Sequence, residues 1–257
     1  MEAGTHSNNR ISLLLSETLG TAIFISCIFY TALYQTNPIA IALGVGGGLF
    51  IAMTIFGKET GGHFNPAVSI AYYLFIAENK LEKSVNFVIL LIAQVLGGFL
   101  AGLILYFTAN KNEPLLKPDE ENFIGSFMDE IFFTFLFISV IFCVKSSVLS
   151  QTKDNTLKSL TVAFTLMLCV LFGGQISGAC YNPAVGISVN FWASIAEKDK
   201  KYIKYMSYYI MAPIIGGLLA GFFNRFFLGL PFEVKGENNG KADGEENFLL
   251  MNQEEKV

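Results

Sequence analysis

Charge is scarce in this chain, and its distribution excludes an ordinary soluble domain. Only 15% of the 257 residues are Asp, Glu, Lys or Arg, whereas 53% are hydrophobic, and the mean hydropathy is +0.50. The 17 basic and 21 acidic residues leave a net charge of −4, with no basic excess to hold nucleic acid. Cysteine is equally sparse: Cys27, Cys143 and Cys169 lie in apolar runs and Cys180 in a turn, so no disulfide framework is expected. With two His in the whole chain there is no metal-ligand cluster. Nor is there a phosphate loop or a nucleophile–base pair, so neither an enzyme nor a cofactor is expected. The first apolar run lacks the basic leader and small-residue cleavage site of a secretory signal, and reads as a retained span.

What remains is apolar length. Runs at 11–34, 39–57, 86–109, 124–145, 157–173 and 203–228 each approach the roughly 20 residues that cross a bilayer as a helix, predicting six transmembrane helices. Two further stretches, 66–76 and 183–193, are about half as long. Each opens with the same tripeptide, Asn65-Pro66-Ala67 and Asn182-Pro183-Ala184, after a glycine-containing turn. Pro is tolerated at the first helical position, where the missing N–H has no partner, and Asn is among the best residues to cap it. Each box therefore predicts the N-terminus of a re-entrant half-helix. Broken helices at membrane depth are tolerated where protein buries them or where they line a cavity.

The repetition extends beyond the boxes. Ile92–Gly102 matches Met211–Gly221, and Glu17–Ser26 loosely matches Glu130–Ser139. Each unit holds three full spans, an odd number, so the second copy enters from the opposite side and the repeat is inverted. The fold class is thus all-α membrane: repeat halves at about 11–109 and 124–228 form one channel domain at 11–228. Small residues at spacings of three and four, including Gly98, Ala101 and Gly102 with Gly217, Ala220 and Gly221, are read as helix–helix packing. Short-loop lysines and arginines favour a cytoplasmic N-terminus (1–10), and the polar 229–257 segment reads as a disordered cytoplasmic tail. Glu245 followed by Leu249-Leu250 in that tail resembles an acidic dileucine sorting signal, and the membrane is read as plasma or vacuolar/endosomal.

The twin boxes, together with Glu17-x-x-Gly20-Thr21, Gln94, Glu130 and Pro213, resemble the major intrinsic protein family, the aquaporins and aquaglyceroporins, over roughly 11–228. The resemblance implies half-helices meeting tip to tip at the bilayer centre, six helices around each pore and a homotetramer. It also implies that Glu17 and Glu130 hold the re-entrant loops through backbone N–H groups; the other reading of such intramembrane acids is a proton carrier. The facing helix N-termini disfavour cations, Asn65 and Asn182 offer donors, and backbone carbonyls at Gly61, Gly62, His63, Gly178 and Cys180 form a ladder of acceptors for a neutral solute. His63 reads either as loop bracing or as a solute contact, and the Cys180 thiol as facing either the pore or the bundle.

One departure stands out. Three residues after the second box Asn the family usually has Arg, and this chain has Val185. Counting from the boxes puts Val45, Val170 and Ala179 at the other filter positions, an apolar constriction wider than the family norm. The reading is a passive channel for water and small neutral solutes such as glycerol, urea, ammonia or hydrogen peroxide, excluding ions and protons. Its alternatives are a secondary transporter, for which no dedicated coupling-ion site is evident, and a closed-pore structural membrane protein.

Overall fold

A computed structural model describes residues 3–77, 80–109, 114 and 116–231. Among them are eight α-helices: α1 (Ala3–Tyr34), α2 (Pro38–Thr60), α3 (Pro66–Ala71), α4 (Lys80–Thr108), α5 (Phe123–Lys145), α6 (Asn155–Gly173), α7 (Pro183–Ala196) and α8 (Lys201–Phe222). Wider π-helical turns continue α3 through Tyr72–Ile76 and α8 through Phe223–Phe227. Six helices are long and apolar enough to cross a membrane; those containing 66–76 and 183–196 are too short. The 29 residues of α4 begin six positions before the apolar run, because Lys80-Leu81-Glu82-Lys83 are good helix formers that hydropathy alone ignores. The dileucine pattern and residues 232–257 of the expected tail lie outside the described residues. Gly229–Pro231 do not: Gly229 turns in the left-handed region at φ 68°, and Leu230 is buried. The Leu230 N–H donates to Asn224 O.

Asn and Asp begin these helices wherever a polar cap is visible. Asn37 Oδ1 accepts from Ile39 N (2.8 Å) and Ala40 N (3.3 Å) ahead of Pro38, so α2 starts with the same Asn-Pro device as the two boxes. Asp154 accepts from Leu157 N and Thr156 N at the start of α6, and those two donors hold its carboxyl below the usual range.

The two halves use equivalent contacts. In the first, α1 packs on α2 and α4; in the second, α5 packs on α6 and α8. Each half-helix also reaches into the other half, since α3 lies on α8, and α7, besides packing on α8, lies on α4. A glycine pair makes each crossing possible. A Cβ on Gly97 of α4 would sit 2.5 Å from Thr18 O of α1, and one on Gly216 of α8 would sit 2.5 Å from Ile131 O of α5. The second member of each pair admits a half-helix: Gly98 faces Ser188 and Ala184 O of α7, and Gly217 faces Ala67 O of α3. One turn on, Gly102 makes room for Trp192 and Gly221 for Phe75. The backbones approach because no side chain stands between them.

Polarity is arranged as a bilayer requires. Ile39, Leu43, Ile51, Ile55, Val88 and Ile92 face outward and are about half exposed, while Glu17, Gln94 and Glu130 are fully buried. Gly97→Val drives methyl groups into the α1 backbone and should cost about 1–3 kcal/mol. Gly47→Ala, where nothing lies within 4 Å of the added carbon and Ala is the better helix former, should leave stability unchanged or raise it by up to about 1 kcal/mol. Thermal unfolding of the detergent-solubilised proteins, followed by loss of monodisperse protein, separates the two.

Candidate functional site

The site is built where α3 and α7 begin. Asn65 and Asn182 are extended caps, at φ −157° and −152°, and each side-chain oxygen accepts from the second N–H of its own helix: Ala67 N at 2.8 Å and Ala184 N at 2.9 Å. The side-chain nitrogens cross between halves. Asn65 Nδ2 donates to Tyr181 O and Asn182 Nδ2 donates to Phe64 O, both at 2.9 Å. A primary amide has two N–H groups, so each asparagine keeps one beyond the cross-tie.

The acceptors of these bonds sit in an unusual backbone state. Phe64 (φ 47°) and Tyr181 (φ 49°) are left-handed without being glycine, a conformation that costs on the order of 1 kcal/mol or more. Both rings are fully buried, and both N–H groups are held by glutamates. Glu17 Oε1 accepts from Phe64 N at 2.7 Å and from Gln94 Nε2 at 2.7 Å. Glu130 is more fully used: Oε1 accepts from Cys180 N (2.8 Å) and the Ser177 hydroxyl (2.7 Å), and Oε2 from Tyr181 N (2.8 Å). Each of these bonds satisfies a donor that would otherwise be buried without a partner at about 1–3 kcal/mol, enough to hold a strained turn. Asp129, adjacent to Glu130, contacts the Ser177 hydroxyl (2.7 Å) and accepts from the Tyr181 hydroxyl (3.1 Å).

The carbonyls named for the ladder fare unequally. Gly61 caps the C-terminus of α2 at φ 79°, and its carbonyl accepts from Lys145 Nζ at the end of α5. Gly62 O lies 3.5 Å from the same nitrogen. Both are thus engaged by a protein donor. His63, Gly178, Ala179 and Cys180 line a central cavity of about 70 Å³ together with Asn65 and Asn182. That volume accommodates a few waters at roughly 30 Å³ each. Val45 and Val170 line it too, with Phe24, Ile28, Phe137 and Leu166. Val185 is buried on the first turn of α7 and is not on this lining.

His63 also lines a larger vestibule of about 720 Å³ on the α3 side, and so stands at the junction of the two spaces. Its Nδ1 lies 3.0 Å from Ser69 Oγ, which also accepts from Gln94 Nε2 at 2.8 Å, and its ring meets Tyr72 edge-on. Bracing and cavity exposure therefore coexist in His63. The Cys180 thiol has one orientation: it donates to Asn182 O at 3.1 Å, toward the α7 backbone. Sequence reasoning missed Lys145 as a loop anchor, because a lysine closing an apolar run looks like any interfacial anchor.

The chain matches the model of the family described as "Major intrinsic protein" over residues 5–224. It belongs to the major intrinsic protein family. Curated relatives agree in length as well as sequence. Aquaporin-B of Dictyostelium discoideum is 28% identical, covering 84% of this chain and 83% of that protein. Aquaporin-8 of Rattus norvegicus is 29% identical (83% and 80%), and glycerol uptake facilitator protein-like 6 of Lactiplantibacillus plantarum is 28% identical (82% and 95%). In fold, the chain is similar to the X-ray structure of the aquaglyceroporin from Plasmodium falciparum, with a TM-score of 0.74 at 22% identity, covering 86% of this chain and 98% of that one. As a major intrinsic protein it is an integral multi-pass membrane channel for water or small solutes, and not an enzyme.

The inward-turned thiol makes a prediction about reactivity. Cys180 is buried and hydrogen-bonded, whereas Cys27 and Cys143 are partly accessible. Substoichiometric mercurial treatment followed by peptide mass mapping should label Cys27 or Cys143 before Cys180, and Cys180→Ser should leave the rate of any flux inhibition unchanged.

Proposed function

We propose that this major intrinsic protein is a passive channel for water and small neutral hydrogen-bonding solutes, of the size of glycerol, urea, ammonia or hydrogen peroxide, and that it excludes ions and protons. The observation that carries this reading is the reciprocal tie between the boxes. It points two N–H donors and two helix N-termini at a narrow space walled by Val, Ile, Leu and Phe. A solute that gives up its hydration there meets donors from the asparagines and acceptors from the loop carbonyls. A cation meets the positive ends of two helix dipoles and no anionic side chain. The relatives named as aquaporins and as a glycerol uptake facilitator-like protein support a solute range that includes water and a polyol.

The central solute contacts in this reading are Asn65 and Asn182, with Pro66, Ala67, Pro183 and Ala184 setting their helices. The acceptors are the carbonyls of His63, Gly178 and Cys180, while Gly61 and Gly62 tie the loop to Lys145. The filter is the apolar group Val45, Val170, Ala179 and Val185, lacking the guanidinium that would add fixed donors and narrow the mouth. The channel assembles as a homotetramer with cytoplasmic termini.

Two measurements test this. Stopped-flow swelling of reconstituted vesicles should show water permeability well above lipid alone, together with glycerol or urea entry. Asn65→Asp and Asn182→Asp each remove the donor that satisfies Tyr181 O or Phe64 O, leaving a buried carbonyl unpaired at about 1–3 kcal/mol. Both variants should lose thermal stability and either lose flux or admit cations; wild-type stability, flux and ion exclusion in both would reject the assignment. Separately, a correctly assembled Val185→Arg channel should lose glycerol and urea flux more steeply than water flux. Unchanged permeability ratios would remove Val185 from the filter.

A further inference from the structure

The α3-side vestibule and the central cavity differ in charge. Under the inverted repeat, Glu130 of α5 corresponds to Glu17 of α1, and the same offset of 113 residues takes Lys145 at the end of α5 to Ala32 near the end of α1. Ala32 lines the central cavity, and no side chain on that lining carries a fixed charge. Lys145 lines the α3-side vestibule, where its side chain is exposed to the cavity. Among the described residues it is the one lysine or arginine on either lining.

Its position is set by the backbone. The ammonium donates to Gly61 O, with Gly62 O at 3.5 Å, in the turn that leads through His63 into the first box. The same turn is held from within by Glu17 on Phe64 N. In the second half, a loop carbonyl one position earlier in register, Ser177 O, accepts from a neutral group, the Tyr209 hydroxyl, at 2.6 Å. Glu59 is the other charged residue on the vestibule lining. No ion pair within 4 Å joins it to Lys145 among the described residues; the carboxyl whose field reaches the ammonium is Glu17, buried on the far side of the same turn.

We propose that Lys145 is a charge-selecting residue of this channel. Its ammonium repels cations at the α3-side mouth, doing at the vestibule what an arginine at the opposite filter would do if Val185 were one. The proposal rests on the channel reading above. Low-dielectric walls focus the field of a charge on the lining of a cleft, so it acts on ion entry while water, being neutral, is indifferent to it.

The test measures water and ions on the same reconstituted protein. Wild type, Lys145→Arg, Lys145→Gln and Lys145→Glu are compared by vesicle swelling and by bilayer current across a potassium chloride gradient. Because Lys145 also anchors the first loop, ion current is normalised to the water permeability of the same variant, and the normalised current should be absent from the wild type and Lys145→Arg. Lys145→Gln, which retains an N–H donor for Gly61 O, should pass a small cation current, and Lys145→Glu one about tenfold larger, reversing near the potassium equilibrium potential.

A purely structural role predicts a different pattern: equal currents in the Gln and Glu variants without preference for potassium over chloride. That result overturns the proposal. So does a silent Lys145→Glu channel with normal water flux, and in both cases the channel reading stands. Absence of water flux in the wild type rejects the channel reading itself, and the charge-selecting role with it. If Lys145→Glu fails to fold, Lys145→Cys modified after reconstitution decides, with wild type as control for the native thiols. A sulfonate-bearing methanethiosulfonate adduct should admit potassium and a quaternary-ammonium adduct should not; equal behaviour overturns the proposal.

Discussion

Four hydrogen bonds at the tips of two short helices fix the geometry on which the rest of the pore depends. Asn65 and Asn182 each cap their own helix and reach across to a carbonyl of the other half, so neither loop can shift alone without breaking bonds in both. Each bond supports the others, which makes such a closed circuit both rigid and sensitive to single substitutions. Carbonyls can accept these bonds because Phe64 and Tyr181 adopt left-handed backbone. Those conformations in turn need the glutamates behind them. Strain at the centre is thus offset one layer further out, by ionisable side chains that a bilayer would otherwise disfavour.

The second loop is more heavily braced than the first. Glu130 uses both oxygens, and Ser177, Asp129, Tyr181 and Tyr209 extend the network outward. Glu17 takes both of its short bonds on one oxygen, with the Thr60 hydroxyl as a further neighbour of the carboxyl. The first loop recruits Lys145 on its opposite side instead. A repeat that is nearly symmetrical in backbone is therefore unsymmetrical in how each half is held.

How much of this is legible in the sequence follows from range. Spans and half-helices rest on local apolar length and on the Asn-Pro signature, which is why both boxes and all six runs can be placed from the chain alone. The Asn37-Pro38 start of α2 carries the same signal but lacks the following Ala, and attention to the tripeptide conceals it. The roles of the two glutamates come from resemblance, since nothing within a few residues of Glu17 points to Phe64, 47 positions away. The direction of the Cys180 thiol depends on a rotamer, and the partner of Lys145 depends on where α5 ends relative to α2; neither is written locally. The valine at position 185 is plain in the sequence, but its distance from the central lining is a property of the packed helix.

The crossed seating of the half-helices has a consequence for biogenesis. Ala67 rests in the groove opened by Gly217, about 150 residues later in the chain. At ordinary synthesis rates that interval is on the order of ten seconds, during which the first half-helix has no final resting place. One repeat alone would have a glycine groove on its third helix with nothing to fill it, and two copies in opposite orientations fill both grooves at once.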